Sequence, residues 1–132
     1  MSTLQLGTVQ SNTTSPPVVT NSGGTQIGTF CRAWVNFNGT GTVAIRASFN
    51  VTSITDNGVG DYTINFTTAM PDANYSVVAT TTGSDTGSGS PRTAAANAAR
   101  NATTGSFLFL VFAVDSTNTF QDPVVAGVAI FR

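Results

Sequence analysis

The 132-residue sequence contains no lysine, no glutamate and no histidine. Only 8% of its residues are charged, whereas ordinary globular domains have about a quarter. All five basic residues are arginine and all six acidic residues are aspartate. The absence of histidine excludes a Ser-His-Asp or Cys-His catalytic arrangement and an imidazole metal site. We therefore expect no enzyme of these classes.

The missing residue types also bear on the fold and on partners. Lysine and glutamate favour helices, whereas the abundant threonine, asparagine and glycine do not, so a helical fold is disfavoured. A net charge of -1 argues against nucleic acid and anionic membranes as partners. A surface with few charges resists association weakly and is typical of a protein held in an assembly.

Cysteine is nearly absent and long apolar runs are missing. The single Cys31 excludes an internal disulfide, and its place in a strand pattern beside Ala33 indicates a buried, inert thiol. No run reaches the roughly 18 apolar residues of a membrane span. The N-terminus has no pattern of a secretory signal, so we expect synthesis in a cytoplasm without export. We expect no cofactor.

Alternating apolar and polar residues are the main positive signal. Residues 43–51 place Val43, Ile45 and Phe49 on one strand face, and residues 62–66 repeat the alternation from Tyr62. The turn residues between them, 56–61, predict a central antiparallel hairpin. Further strands are predicted at residues 30–38, 75–82, 106–114 and 124–131. The sequence therefore predicts an all-β protein, an antiparallel β-sandwich or jelly-roll-like domain at residues 30–132.

Residues 1–29 differ from the rest and lack a strong core pattern. They are rich in serine, threonine, asparagine and glycine, and Pro16-Pro17 forces an extended course. One interpretation is a disordered segment; the favoured one is an extended N-terminal arm that orders against a neighbouring subunit. Short apolar patches would anchor the arm, namely Leu4, Leu6, Val9, Val18 and Val19.

Two predicted strands, residues 106–114 and 124–131, are apolar on both faces. Such a strand is covered on both sides, and a small domain can cover only one. The second face is expected to meet another copy of the chain, so the sequence predicts a homo-oligomer. The expected interface side chains in the domain are Trp34, Leu108, Leu110, Phe112 and Phe131. Trp34, on a polar strand face, can alternatively stack on a sugar ring.

Residues 83–105 do not fit one element. Residues 93–100 are alanine-rich and are consistent with a short helix or with an extended edge segment. A stretch of this length between strands is often a functional surface. We expect it to face outward and to present Asp85, Arg92, Asn97 and Arg100 to a receptor, although solvated arginines are the simpler interpretation.

The aspartates offer the remaining route to catalysis or metal binding. Asp56 and Asp61 flank the predicted hairpin turn, where aspartate ordinarily satisfies backbone N–H groups. A calcium site at this turn is the alternative, but its spacing does not match the twelve-residue calcium loop. Asp85, Asp115 and Asp122 lie between predicted strands and are expected to be solvated.

Several stretches resemble a module that recurs in tailed phages of aquatic bacteria. They are residues 23–28, 31–41 (CRAWVNFNGTG), 43–51 (VAIRASFNV), 54–58, 60–62, 66–75 (FTTAMPDANY) and 128–132 (VAIFR). The resemblance covers about residues 23–82 and the last strand, whereas residues 83–123 have no counterpart. It implies a virion structural protein, tail-fibre-like and usually trimeric, and it transfers no catalytic motif.

The resemblance and the composition together predict a non-enzymatic component of a bacteriophage virion. The leading hypothesis is a tail-fibre or tail-tip protein that contacts a glycan or protein of the host surface, with residues 1–29 attaching it to other virion proteins. The alternative is a capsid decoration protein whose arm staples capsid subunits. A depolymerase that uses paired aspartates is the third class.

Overall fold

The computed structural model describes residues 5–11, 17–82, 92–96, 101–113 and 119–132, with backbone alone at 92–96. The chain divides into two compact units, residues 1–30 and 31–132. The first unit contains β1 (Val19–Thr20) and β2 (Gln26–Gly28), which pair antiparallel. The Asn21 side chain closes their turn by accepting the N–H groups of Gly23 and Thr25 at 3.0 and 2.9 Å. The described part of the predicted arm thus includes a short ribbon.

The second unit contains eight strands in two four-stranded sheets. They are β3 (Cys31–Asn38), β4 (Ala44–Phe49), β5 (Val51–Gly58), β6 (Asp61–Phe66), β7 (Ser76–Thr82), β8 (Arg92–Ala96), β9 (Ser106–Ala113) and β10 (Val125–Phe131). The first sheet has the order β4-β3-β10-β7 and the second β5-β6-β9-β8, and all pairs are antiparallel. The predicted all-β antiparallel sandwich is confirmed.

The core lies between the two sheets and is built from the inward residues of alternating strands. In β3, Ala33, Val35 and Phe37 are buried, while Trp34 between them is exposed. Phe37 of the first sheet packs edge-on against Tyr62 and Phe109 of the second, with ring centroids 5.2 and 6.0 Å apart. These aromatic contacts hold the sheets face to face, so the outer faces of both sheets are left for other contacts.

The predicted central hairpin is wrong in its first strand. Residues 43–58 form two strands, because the chain passes from one sheet to the other at Asn50, which has a φ of 56°. The Asn50 side chain donates to the carbonyls of Arg32 and Thr68 at 3.1 Å and accepts from the Thr68 N–H at 2.7 Å. β5 alone pairs with β6, and all six residues of β4 are exposed instead of forming a buried apolar face.

The predicted outward stretch at residues 83–105 is described only at residues 92–96 and 101–105. Residues 92–96 form β8, which pairs with β9, so this part of the alanine-rich segment is an extended edge strand and not a helix. Residues 101–105 pack onto the domain: the N–H groups of Phe66 and Met70 donate to the carbonyls of Gly105 and Thr104 at 2.8 and 2.7 Å. Asp85, Asn97 and Arg100 lie outside the described residues, and Arg92 begins β8.

Candidate contact surfaces

The side chains predicted to form one assembly interface lie in three places. Leu6, Val9, Val18 and Val19 are exposed in the first unit, and Leu4 lies outside the described residues. Trp34 and Phe131 lie on the outer face of the β4-β3-β10-β7 sheet. Leu108, Leu110 and Phe112 are half-buried on the outer face of the other sheet. The domain residues among them therefore occupy two opposite faces of the sandwich, and a single contact cannot use both.

An apolar row crosses all four strands on the outer face of the β4-β3-β10-β7 sheet. Trp34 is paired with Phe49 on one side and with Ala129 on the other, and Ala129 is paired with Val78. The exposed fractions of Phe49, Trp34 and Val78 are 56%, 39% and 58%. We call these four residues the Trp34 row. Such a contiguous exposed apolar strip is typical of a contact surface.

The sequence indicated only one member of the Trp34 row. Phe49 was expected on a buried face with Val43 and Ile45, and Val78 was given no role. The β-bulge opposite Asn36 and Phe37 shifts the register of β4, and β4 is an edge strand that the other sheet does not cover. The position of Phe49 thus depends on a bulge that alternation alone does not reveal.

A shallow depression lies beside the row, between β7 and β10. Its volume is about 260 Å³, and it is lined by Val78, Ala79, Thr80, Gly127, Val128 and Ala129. Gly127 contributes no side chain to it, and Trp34 lies on the adjacent strand β3. The outer face therefore combines an aromatic ridge with an apolar hollow.

Two arginines flank the ridge. Alternation along β3 places Asn36 on the same face as Trp34, about 7 Å from it along the strand. Arg32 lies two residues before Trp34, in a bulge opposite Phe131, an outward residue of β10. Arg46 donates to the Asn36 side chain at 3.4 Å and to the carbonyls of Phe37 and Val124 at 3.1 and 2.7 Å. The four strands of this sheet contain no aspartate.

The β5-β6 half of the opposite face carries a polar ladder. Asn65 donates to the hydroxyls of Ser53 and Thr55 at 3.1 and 3.0 Å. Asn57 donates to Thr63 at 2.9 Å and to Asp61 at 3.1 Å. These cross-strand hydrogen bonds fix the outward polar side chains in place. Next to them on β9 stand Leu108 and Leu110, so this face changes from polar to apolar across the sheet.

Asp122 is not simply solvated, contrary to the prediction. Its carboxylate accepts the Tyr62 hydroxyl at 2.6 Å and the Gly60 N–H at 2.8 Å, which joins the β5–β6 turn to the segment before β10. Burial, together with the hydrogen bond to Asp122, raises the pKa of Tyr62 well above its usual value. The neutral phenol and the carboxylate therefore form a structural link between two segments of the domain.

The remaining aspartates described here also have local roles. Asp56 accepts the Gly58 N–H at 3.0 Å, which agrees with the predicted turn role. Asp72 accepts from Arg132 Nε and from the Asn74 N–H, each at 2.8 Å, and the Arg132 guanidinium holds the pKa of this carboxyl below its usual range. Asp85 and Asp115 lie outside the described residues.

The described part of the chain contains no metal cluster, and Cys31 is less buried than predicted. No group of three or more aspartate or cysteine side chains lies close enough there to hold a metal ion. Cys31 is half-buried rather than buried, and its thiol donates to the Ala33 carbonyl at 3.2 Å. Among the same residues, no helix has the length and apolar character needed to cross a membrane.

Comparisons with known proteins add one informative likeness. The fold is similar to part of a phage tailspike. That protein, the phiAB6 tailspike, was crystallised with three-repeated oligosaccharides of Acinetobacter baumannii surface polysaccharide. The TM-score is 0.53 at 16% sequence identity, and the match covers 98% of this chain and 30% of the tailspike. No protein-family model and no curated protein matches the sequence.

Proposed function

We propose that the protein is a non-enzymatic structural component of a phage virion, a tail-fibre or tail-tip protein that contacts the host surface. The observation that carries this proposal is the likeness of nearly the whole chain, 98% of it, to part of a phage tailspike. The resemblance of residues 23–82 to a tail-fibre-like module supports it independently. The tailspike was crystallised with oligosaccharides of a bacterial surface polysaccharide, which makes a host glycan the first partner to test.

The opposite faces of the sandwich suit two separate contacts. Leu108, Leu110 and Phe112 lie half-buried on the outward side of β9, and Phe120, which bridges to Phe112, is exposed. We assign this apolar half of the face to contact with further copies of the chain, in the trimer that the resemblance implies. Burial of such side chains would stabilise the assembly by roughly 25 cal/mol per Å² of apolar surface.

Labelling of intact virions tests the location. Antibody raised against the chain and imaged by electron microscopy is expected to bind at the tail of the particle. Uniform labelling of the head would contradict the tail assignment and favour the capsid decoration protein. Copy number separates the same two hypotheses, since decoration of a capsid requires hundreds of copies and a fibre requires tens or fewer.

The absence of enzymatic activity needs its own test. Purified protein is incubated with host polysaccharide, and the release of reducing sugar is measured. We expect none, because each described aspartate accepts a hydrogen bond from the protein itself: Asp56 from a turn N–H, Asp61 from Asn57, Asp72 from Arg132 and Asp122 from Tyr62. Release that is abolished by Asp56→Ala or Asp61→Ala would overturn this part of the proposal and establish a depolymerase.

A further inference from the structure

The Trp34 row lies on the positively charged face of the sandwich. Arg32 and Arg46 stand on either side of Trp34, and no strand of this sheet contains an acidic residue. The one salt bridge among the described residues joins Arg132 to Asp72, so neither of the two face arginines is neutralised by a carboxylate there. An arginine-flanked aromatic ridge has the charge complement of an anionic ligand.

The hydrogen bonds of Arg46 keep its charge at this face. Two backbone carbonyls, of Phe37 and Val124, and the Asn36 side chain hold the guanidinium. All three partners are uncharged, so the arginine is positioned but its full positive charge remains. A guanidinium that is already held in place loses less side-chain freedom when a ligand binds.

A second copy of the chain that meets this face through a two-fold axis fits it less well than an anionic ligand does. In a two-fold contact each residue patch meets the same patch on the partner, so the Trp34 row would bring Arg32 and Arg46 of both copies together. Like charges that are desolvated against each other cost several kcal/mol. The β9 face, whose outward residues are uncharged, has no such conflict.

We infer that the Trp34 face binds a glycan containing uronic acid residues. The flat apolar surface of Trp34 and Phe49 offers a platform for the C–H face of a pyranose ring. The arginine fork matches a sugar carboxylate with two parallel hydrogen bonds, and the Asn36 amide supplies hydrogen-bonding groups for ring hydroxyls. This inference deepens the proposed function, because it names the ligand class for the contact with the host surface.

The protein contains a built-in reporter for this site. Trp34 is its only tryptophan, so intrinsic tryptophan fluorescence reads the proposed site directly. The full chain is titrated with trigalacturonate up to millimolar concentrations, and the methyl ester of the same trisaccharide serves as the uncharged probe. We expect a saturable fluorescence change with trigalacturonate, weakened by added salt because exposed charges are screened, and binding of the ester at least about fivefold weaker.

Matched variants distinguish binding at the Trp34 face from a general effect of the protein's net charge. Arg32→Gln and Arg46→Gln are each expected to weaken trigalacturonate binding about five- to tenfold, as for loss of one charge-assisted hydrogen bond at a partly exposed site. Arg132→Gln removes the same formal charge, but Arg132 is already paired with Asp72, so binding is expected to change less than twofold. Circular dichroism of each variant verifies that the fold is retained.

Three results would overturn the inference. They are the absence of a saturable response to trigalacturonate, equal binding of acid and ester, and a fluorescence change that depends on protein concentration without sugar. The last would show that a second copy covers Trp34. Virion labelling is independent of this titration, so a tail location with a negative titration removes the glycan site and leaves the proposed function standing.

Discussion

The hydrogen bond between Tyr62 and Asp122, 2.6 Å long, links the β5–β6 turn region to the segment before β10. Tyr62→Phe removes it while keeping the ring packed against Phe37, so we expect a loss of about 1 to 2 kcal/mol in the free energy of unfolding. Urea denaturation measures the loss. In a double-mutant cycle with Asp122→Asn, the two losses should not add; strict additivity would show that the bond contributes nothing.

The raised pKa of Tyr62 predicts how stability depends on alkaline pH. The folded protein holds the hydroxyl proton of Tyr62 more tightly than the unfolded chain does, in which the pKa of tyrosine is about 10. The stabilisation is therefore fully present below pH ~10 and decreases above it as the unfolded state ionises. Denaturation measured at increasing pH should show this decrease.

Substitution distinguishes the two tyrosines in that experiment. Tyr75 also has a raised pKa through burial, and its hydroxyl donates to the Thr103 and Ser106 carbonyls at 3.1 and 3.0 Å. Tyr62→Phe and Tyr75→Phe should each remove part of the alkaline decrease. A decrease that is unchanged in Tyr62→Phe would contradict the assignment to that residue.

At the scale of elements, the passage between the sheets depends on Asn50. Asn50→Gly removes three side-chain hydrogen bonds but retains the positive φ of 56°, whereas Asn50→Ala also forces alanine into that conformation. We expect the alanine variant to be less stable than the glycine variant by about 1 kcal/mol. Thermal and urea unfolding of the two variants give the comparison; an equally stable alanine variant would contradict the account of this turn.

The β5–β6 turn depends on Gly60 in a different way. Gly60 and Gly41 have nearly equal φ values, 66° and 63°, but a Cβ at Gly60 would clash with the Val111 carbonyl, while nothing lies within 4 Å of one at Gly41. Gly41→Ala should lower the free energy of unfolding by about 1 kcal/mol, because alanine is strained at a positive φ even where its side chain meets no other atom. Gly60→Ala should cost about 3 kcal/mol or more, or prevent folding. Equal losses of unfolding free energy for the two variants, measured by urea denaturation, would show that the turn can shift to accommodate the Cβ atom at position 60.

Alternation predicted the inner faces of the elements better than their connections. Tyr62, Ile64 and Phe66 are buried as predicted, because a two-residue period leaves few choices once one face is apolar. The division at Asn50 was missed because the alternation runs on through it with no proline or glycine. The passage between the sheets at Asn50 depends on hydrogen bonds from its side chain to Arg32 and Thr68, which are distant in sequence.

The candidate surfaces were predicted only in part, for a similar reason. Trp34 was recognised because it interrupts a polar strand face, and this signal is local. Its row with Phe49 and Val78 depends on which strands are neighbours, and the β4 bulge alters that register. The charge of the face follows from the absence of aspartate on four strands, of which β7 and β10 are far in sequence from β3 and β4. No local pattern contains that information.

On the scale of the whole molecule, the sandwich has an apolar core and two unlike outer faces. One carries the Trp34 row between two arginines, and the other carries the polar ladder beside the β9 leucines. We assign the first face to a host glycan and the second to further copies of the chain. Substitutions on the two faces should therefore affect different measurements.

Leu110→Asn and Val78→Asn test this division. Both place an amide on an outward strand position, but on opposite faces of the sandwich. Leu110→Asn is expected to shift the assembly towards the monomer, because the amide would be buried in the contact between copies. Val78→Asn should leave the assembly intact. If Val78→Asn dissociates the protein and Leu110→Asn does not, the faces have been assigned the wrong way round.

Light scattering of the purified full chain tests most directly whether copies of the chain assemble. The molar mass is measured across a range of concentrations. One chain has a mass of 13.5 kDa. We predict an assembly of three times that mass that persists on dilution, because the apolar side chains on the outer side of β9 are covered by another copy of the chain. A mass of 13.5 kDa at every concentration would contradict it.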